Sequence, residues 1–285
     1  MTKIQPKDKM FAYVGGKYRQ ADWIINQMEH HLNLSPLYFE YDRYVEVFGG
    51  AMWVYINGDI YLQDVSYNDY NAQMSNLFSC CSKYEEFIPY LEANEAQNEE
   101  RFNKFRDEIV EFINSGGKIE MPNFDMASKY VYLITQCFSG IVSEKVKFVD
   151  LKDKYRSKYY SFLDRLKKPA VQKKLEVLKI YNLSFDDFIP EVDGDKTLLY
   201  VDPPYYGTED LYAFHNFTKD NHKKLADLLN SCKGAWVLSY YEFPEMHEWY
   251  PESKYIWVRK DYKKGSSAAK GKKQTVGTEL LIIKK

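Results

Sequence analysis

Four apolar residues, Leu198 to Val201, run without a polar break into Asp202-Pro203-Pro204-Tyr205. A short continuous apolar run of this kind reads as a strand buried on both faces. Two consecutive prolines cannot donate to a sheet ladder, so they end the strand and hold the next residues in an extended path. The chain is thereby committed to a covered sheet with a defined loop at one carboxyl end, where open α/β sheets bind ligands. A given tetrapeptide of these residues arises by chance in roughly one chain in a thousand of this length.

The pattern has an earlier counterpart. Tyr44 to Val47 reads as a short strand that empties into Phe48-Gly49-Gly50, with a helix expected from Ala51. Ile60 to Tyr67 alternates toward a second strand that ends at Asn68-Asp69. Strand, glycine turn, helix and strand in succession open an α/β nucleotide-binding unit. The glycines let the backbone approach a cofactor, and an acidic residue about 20 positions on is the usual partner of a ribose hydroxyl. Asp69 fits that place better than Asp64, which lies within the strand and nearer the turn. Upstream, Tyr13-Val14-Gly15-Gly16-Lys17 is a Gly-Gly turn feeding a helix expected over Lys17 to His31. Lys17 at its first position can hold an anionic group, although the spacing of a phosphate-binding P-loop is absent.

Three regions emerge: 1–83, an α/β opening; 84–174, richer in Glu, Lys and Asn; and 175–285, where α/β patterning returns. In the middle region Glu99 to Asn114 reads as a helix closed by Ser115-Gly116-Gly117. From Lys145 to Lys174 basic residues crowd together, including Lys154, Arg156, Lys158, Lys167, Lys168 and Lys174, with Tyr155, Tyr159, Tyr160 and Phe162 between them. That composition suits a surface following a phosphate backbone, and equally a solvated helical face. In the last region Asn221 to Leu229 reads as a helix, and Ala235 to Ser239 and Thr278 to Ile283 as strands. The Gly/Ser/Lys segment Lys263 to Lys273, with Lys270, Lys272 and Lys273, reads as a mobile basic loop.

Net charge is −2, so contact with nucleic acid has to come from local charge rather than from the whole molecule. The 26 Tyr and 17 Phe can serve cores or stack on bases. Met1 to Met10 lacks an apolar signal core and no apolar run reaches membrane-spanning length, so a cytoplasmic location is expected. Cys80, Cys81, Cys137 and Cys232 show no CxxC spacing, and no His pairs with them at metal-ligand spacing; no metal is expected.

The chemistry of the tetrapeptide follows from its groups. The lone pair of an exocyclic amine on a nucleobase is delocalised into the ring, which makes the nitrogen planar and a poor nucleophile. Two acceptors receiving both amine protons pull it toward tetrahedral geometry and favour the positive charge that develops on attack. Asp202 supplies one acceptor and the proline-fixed carbonyl of Pro203 the other. Pro204 fixes the turn, and Tyr205 offers a flat face for an extruded base. This reasoning covers any exocyclic amine, adenine N6 and cytosine N4 alike, in DNA or RNA. A DNA-binding protein without turnover also stays open.

Taken together, Gly15-Gly16-Lys17, Glu46-Val47-Phe48-Gly49-Gly50, Asn68-Asp69-Tyr70-Asn71, Asn76-Leu77-Phe78, Asp202-Pro203-Pro204-Tyr205 and the final Glu279-Leu280-Leu281-Ile282 resemble the Dam-like (D12 class) DNA adenine N6-methyltransferases, in the order that family has them. The resemblance implies a Rossmann-like methyltransferase sheet with an inserted, mainly helical target-recognition domain at 84–174. It implies S-adenosyl-L-methionine as cofactor and double-stranded DNA as partner; no protein partner is implied. Tyr13 and Lys17 would contact the cofactor, with Gly15, Gly16 and Gly49 in the same turns. Phe48 and Gly50 would line its cleft, Asp69 would take its ribose hydroxyls, and Phe185 would pack near its adenine. Asp202 would be both catalytic and close to its methionine moiety. Three departures stand out: Met52 replaces a customary glycine, Ser184 a common acidic residue, and Cys137-Phe138-Ser139-Gly140 runs into the lysine-rich segment without the Arg-x-Asn … Phe-Asn-Val-Pro stretch of many relatives.

If the basic segment follows phosphates, Lys167→Ala and Lys168→Ala together weaken DNA binding across sequences and flatten its salt dependence by about one to two charges. Filter binding over a salt series checks this; an altered sequence preference would instead mean that these lysines read bases.

Overall fold

The computed structural model describes residues 10–13, 15–32, 40–94, 97–137, 140–150, 153–207, 217–263 and 276–285. Seven strands form one sheet: β1 (Arg43–Glu46), β2 (Asp64–Asn68), β3 (Leu178–Tyr181), β4 (Thr197–Val201), β5 (Ala235–Tyr240), β6 (Ile256–Lys263) and β7 (Val276–Lys284). Their order is β3-β2-β1-β4-β5-β7-β6. The first five run parallel, and β7 lies antiparallel between β5 and β6. The chain builds outward from β1 through β2 to β3 and then crosses back to place β4 on the other side of β1. That reversal opens a crevice at the carboxyl ends of β1 and β4.

The sheet is covered on both faces, and the strand sequences show why. Tyr44, Leu198, Tyr200, Val237, Leu281 and Ile283 enter one core cluster. Their neighbours Val45, Leu199, Val201, Trp236, Leu238, Leu280 and Ile282 enter the other. Successive side chains of a strand point to opposite faces, so a strand apolar at every position needs apolar cover on both.

The first cluster takes in α1 (Ala21–Leu32), α2 (Trp53–Asn57) and α3 (Ala72–Ser82). It continues through α4 (Tyr84–Glu92), α5 (Glu99–Asn114), α6 (Phe124–Ile134), α7 (Asp153–Leu166) and α8 (Pro169–Leu175). The middle region is thus helical and shares its apolar core with one face of the sheet. Asn76 on α3 ties the start of α6 down from both sides, accepting from the Asn123 amide at 2.7 Å and donating to its carbonyl at 2.9 Å. The opposite face carries α9 (Phe185–Val192), α10 (Lys219–Ser231) and α11 (Met246–Trp249).

Several expectations are corrected. The first helix begins at Ala21, four residues after Lys17, because Lys17 to Gln20 form a turn whose Lys17 carbonyl accepts from the Gln20 and Ala21 amides. β3 and β6 had no counterpart in the sequence reading. In the basic segment Tyr159 and Phe162 are each 1% exposed; they are the apolar face of α7 turned into the core, not a stacking surface. Lys174 leaves the basic surface as well. It is buried, and its Nζ donates to the carbonyls of Tyr55, at 2.7 Å, and Gly58. Those are carbonyls of the last turn of α2, which lack partners within the helix and favour a cation. The Tyr55 hydroxyl answers by donating to the Lys174 carbonyl at 3.1 Å. Burial pulls the ammonium down to about 8. Lys270, Lys272 and Lys273 lie outside the described residues. Among the described residues no helix is long and apolar enough to cross a membrane, and no cluster of His, Cys, Asp and Glu could hold a metal ion.

Lys174→Met keeps the stem but leaves those carbonyls without a donor, so it should cost about 1–3 kcal/mol of stability. Urea unfolding measures the loss, and a wild-type midpoint would show that the lysine is dispensable to the fold.

Candidate active site

The turn after β1 is shaped by contacts that admit only glycine. A Cβ on Gly49 would lie 2.1 Å from the Tyr67 ring, and Gly50 has φ +47°. The Gly49 amide donates to the Asn68 carbonyl at 2.7 Å and the Gly50 amide to Asp69 Oδ2 at 2.8 Å. Asp69 Oδ1 accepts from the Asn71 amide at 2.8 Å, so this carboxylate joins the glycine turn to the head of α3. Asp64, the other acidic residue of this strand, stands at its opposite end, paired with Arg43 and Lys179.

Met52 follows with φ 52°, a conformation that costs a side chain about 1–2 kcal/mol and that glycine adopts freely. Its side chain is fully buried in the first core and does not line the cavity described next. The methionine therefore leaves that space open. Ser184 caps α9, accepting from the Asp187 amide at 3.3 Å.

All residues expected to contact a cofactor line one cavity of about 240 Å³ at the carboxyl ends of the strands: Tyr13, Gly15, Gly16, Lys17, Phe48, Gly49, Gly50, Asp69, Phe185 and Asp202. Pro204 also lines it; Pro203 and Tyr205 do not. Phe48, Phe185 and Phe217 pack with centroids 5.5–5.8 Å apart and form an aromatic wall. Glu46, Trp53, Tyr200, Phe217 and Asn221 are lining residues that the sequence reading did not select. A charged residue ending an otherwise buried strand would have pointed to Glu46; nothing in the sequence marks the others.

At the β4 end, Lys17 Nζ lies 2.7 Å from Asp202 Oδ1 and donates to the Gly15 carbonyl at 3.1 Å. Burial raises the Asp202 carboxyl to about 6, with Lys17 opposing that rise. Tyr205 is buried rather than presented to the cavity. Its ring stacks on Tyr240 at 5.2 Å and has Lys17 Nζ 4.5 Å from its centroid. The hydroxyl is drawn inward by Ser239, at 2.9 Å, and Glu279. The face expected to receive a base is covered in this conformation.

The expected DNA-contacting lysines lie apart from the cavity. Lys158 and Lys168 are exposed, and Lys167 pairs with Glu92 at 2.8 Å. Lys154 and Arg156 belong to α7, but their side chains are not among those described.

A family model described as D12 class N6 adenine-specific DNA methyltransferase matches residues 13–264. The chain belongs to that family. No curated protein matches the sequence. The protein is an enzyme whose reaction is methylation of adenine N6 in DNA.

The methyltransferase carries a second perturbed carboxyl at this site. Glu46 ends β1 fully buried, with Oε1 accepting from the Tyr55 amide at 2.9 Å and the Tyr44 hydroxyl at 3.1 Å. Desolvation raises it to about 8 against these hydrogen bonds, and the charge of Asp202 pushes the same way. A carboxyl with native affinity above its unfolded value contributes stability that is complete below about 4.5 and lost as pH rises through about 8. Glu46→Gln removes that loss. The melting temperature of the variant should gain on the wild-type methyltransferase as pH rises from about 5 to about 8; curves that stay parallel would contradict a buried, protonated Glu46.

Proposed function

We propose that the cavity binds S-adenosyl-L-methionine and that the target adenine, extruded from duplex DNA, enters beside Asp202. The observation that carries this reading is the Lys17–Asp202 pair on the wall of a cavity to which Gly15-Gly16-Lys17, the Glu46–Gly50 turn, Asn68-Asp69-Tyr70 and the Asp202–Tyr205 loop all contribute residues. The lining residues suit that cofactor chemically. The aromatic wall of Phe48, Phe185 and Phe217 would hold its adenine. Asp69, whose carboxylate faces the cavity beside the glycine turn, would take ribose hydroxyls, and Lys17 its carboxylate. Trp53 Nε1, buried on the same wall, has no hydrogen-bond partner among the described residues, a donor that a polar ligand would satisfy.

When bound, S-adenosylmethionine supplies an electrophilic methyl group. Asp202 would accept a hydrogen bond from one N6–H and the Pro203 carbonyl from the other, which would localise the nitrogen lone pair and favour the charge forming there; the one N6 proton lost on methylation would pass to Asp202. Pro203 and Pro204 hold that carbonyl in place. Asp202 has to be ionised to accept, and Lys17 favours the ionised form.

The helical region 84–174 is the natural candidate for target recognition, with Lys154, Arg156, Lys158, Lys167 and Lys168 contacting phosphates. Lys270, Lys272 and Lys273 would join them. Extruding the base exposes its Watson–Crick edge to protein groups and costs a few kcal/mol of unstacking.

Asp202→Ala should lower kcat about 100-fold or more, with cofactor binding less affected. For the wild type, kcat/KM should rise with pH through about 6, where Asp202 loses its proton. Transfer of labelled methyl to duplex DNA measures both. Near-wild-type turnover in the variant would show that Asp202 is not the amine acceptor.

A further inference from the structure

Glu279 lies on β7 just beyond its ladder with β5, which pairs Tyr240 with Leu280. The residue is 1% exposed. An ionised carboxylate is costly to bury unless it is paired and hydrogen-bonded, and this one is tied to Tyr205 of the tetrapeptide and to Lys17 on the cavity wall. Its Oε1 accepts from Ser239 Oγ at 2.7 Å and from the Tyr205 hydroxyl, and stands 3.9 Å from Lys17 Nζ. The same ammonium is 2.7 Å from Asp202. Two carboxylates thus share one ammonium, and the nearer is the group assigned to the amine. Other titratable groups face the cluster: Tyr200 from β4, Glu46 from β1 and Tyr262 from β6.

We propose that Glu279 is a positioning residue for methyl transfer: it anchors the hydroxyl of Tyr205 and competes with Asp202 for Lys17. The consequence is electrostatic as well as steric. A like charge beside Asp202 keeps its proton affinity up, and a second claim on Lys17 limits how firmly the ammonium is held against Asp202. Glu279 adds to the rise already given for Asp202. An aspartate with higher proton affinity is the better acceptor for an amine proton once ionised. A lysine shared between two acceptors is also the easier one to turn toward an entering carboxylate. The inference rests on Asp202 as the amine acceptor, so its test reads Asp202 directly.

The experiment is a carbon-13 titration of aspartate carboxyls in the whole protein without cofactor, with the Asp202 signal assigned through Asp202→Asn, alongside the pH profile of kcat/KM. Glu279→Gln retains an acceptor for Tyr205 and Ser239 but removes the charge. Its Asp202 midpoint should fall by about half a unit or more, with the acid limb of kcat/KM following. Glu279→Asp, which keeps the charge, should return the midpoint toward wild type even where turnover stays low. Ser239→Ala serves should Glu279→Gln fail to fold. It strips one donor from Glu279, strengthens its claim on Lys17, and should move the Asp202 midpoint upward. Midpoints unchanged in the folded variants would overturn the proposal and leave Glu279 a buried filler. A midpoint that moves while the acid limb stays would uphold Glu279 and remove Asp202 from the chemistry.

Discussion

A single ion pair joins parts of the chain that the sequence keeps far apart. Lys17, in the turn before the first helix, meets Asp202, in the loop after the fourth strand, at 2.7 Å. Both are largely buried, so removing Lys17 would leave Asp202 without its counter-charge, which costs about 3–5 kcal/mol. The pair closes one side of the cavity and brings the Gly15-Gly16 turn against the carboxyl edge of the sheet. The glycine turn after β1, the tetrapeptide after β4 and the amino-terminal segment meet through it.

The sheet explains why that meeting falls where it does. Crossing back from β3 to β4 leaves the ends of β1 and β4 adjacent, with loops diverging to opposite faces. The crevice is then braced from the side of β2 and β3. The Asn68 amide group donates to the carbonyls of Val47 and Leu183, and Asn182 donates to those of Asp69 and Tyr70. These side chains fix the loops that carry Phe48, Asp69 and Phe185 without themselves lining much of the space. Positioning groups of this kind cost little flexibility elsewhere, since they sit on strand ends already held by the ladder.

What could be read in the sequence, and what could not, divides along physical lines. β4 and β5 were legible because strands buried on both faces are almost wholly apolar, and α5 because Ser115-Gly116-Gly117 closes it. β3 escaped notice because its residues are half-exposed at a sheet edge, and β6 because Arg259, Lys260 and Asp261 break its apolar pattern. The glycine turn and Asp69 were legible through their spacing. Phe217 and Asn221 were not, because only the packing of α10 on α9 brings them to the cavity. Composition misled at Tyr159, Phe162 and Lys174. A basic, aromatic stretch reads as surface until the helical period shows which side chains turn inward. Glu279 was visible as part of a motif, but a lone carboxylate on a strand says nothing of a lysine more than 260 positions away.

On the proposed reading, one cavity places the methyl donor beside Asp202. A crystal structure of the protein with S-adenosylhomocysteine tests it most directly. The adenine of that ligand should lie against Phe48, Phe185 and Phe217, its ribose at Asp69, and its sulfur turned toward Asp202 with room left for a nucleobase. A ligand seated elsewhere, or a sulfur facing away from Asp202 with no such room, would contradict it.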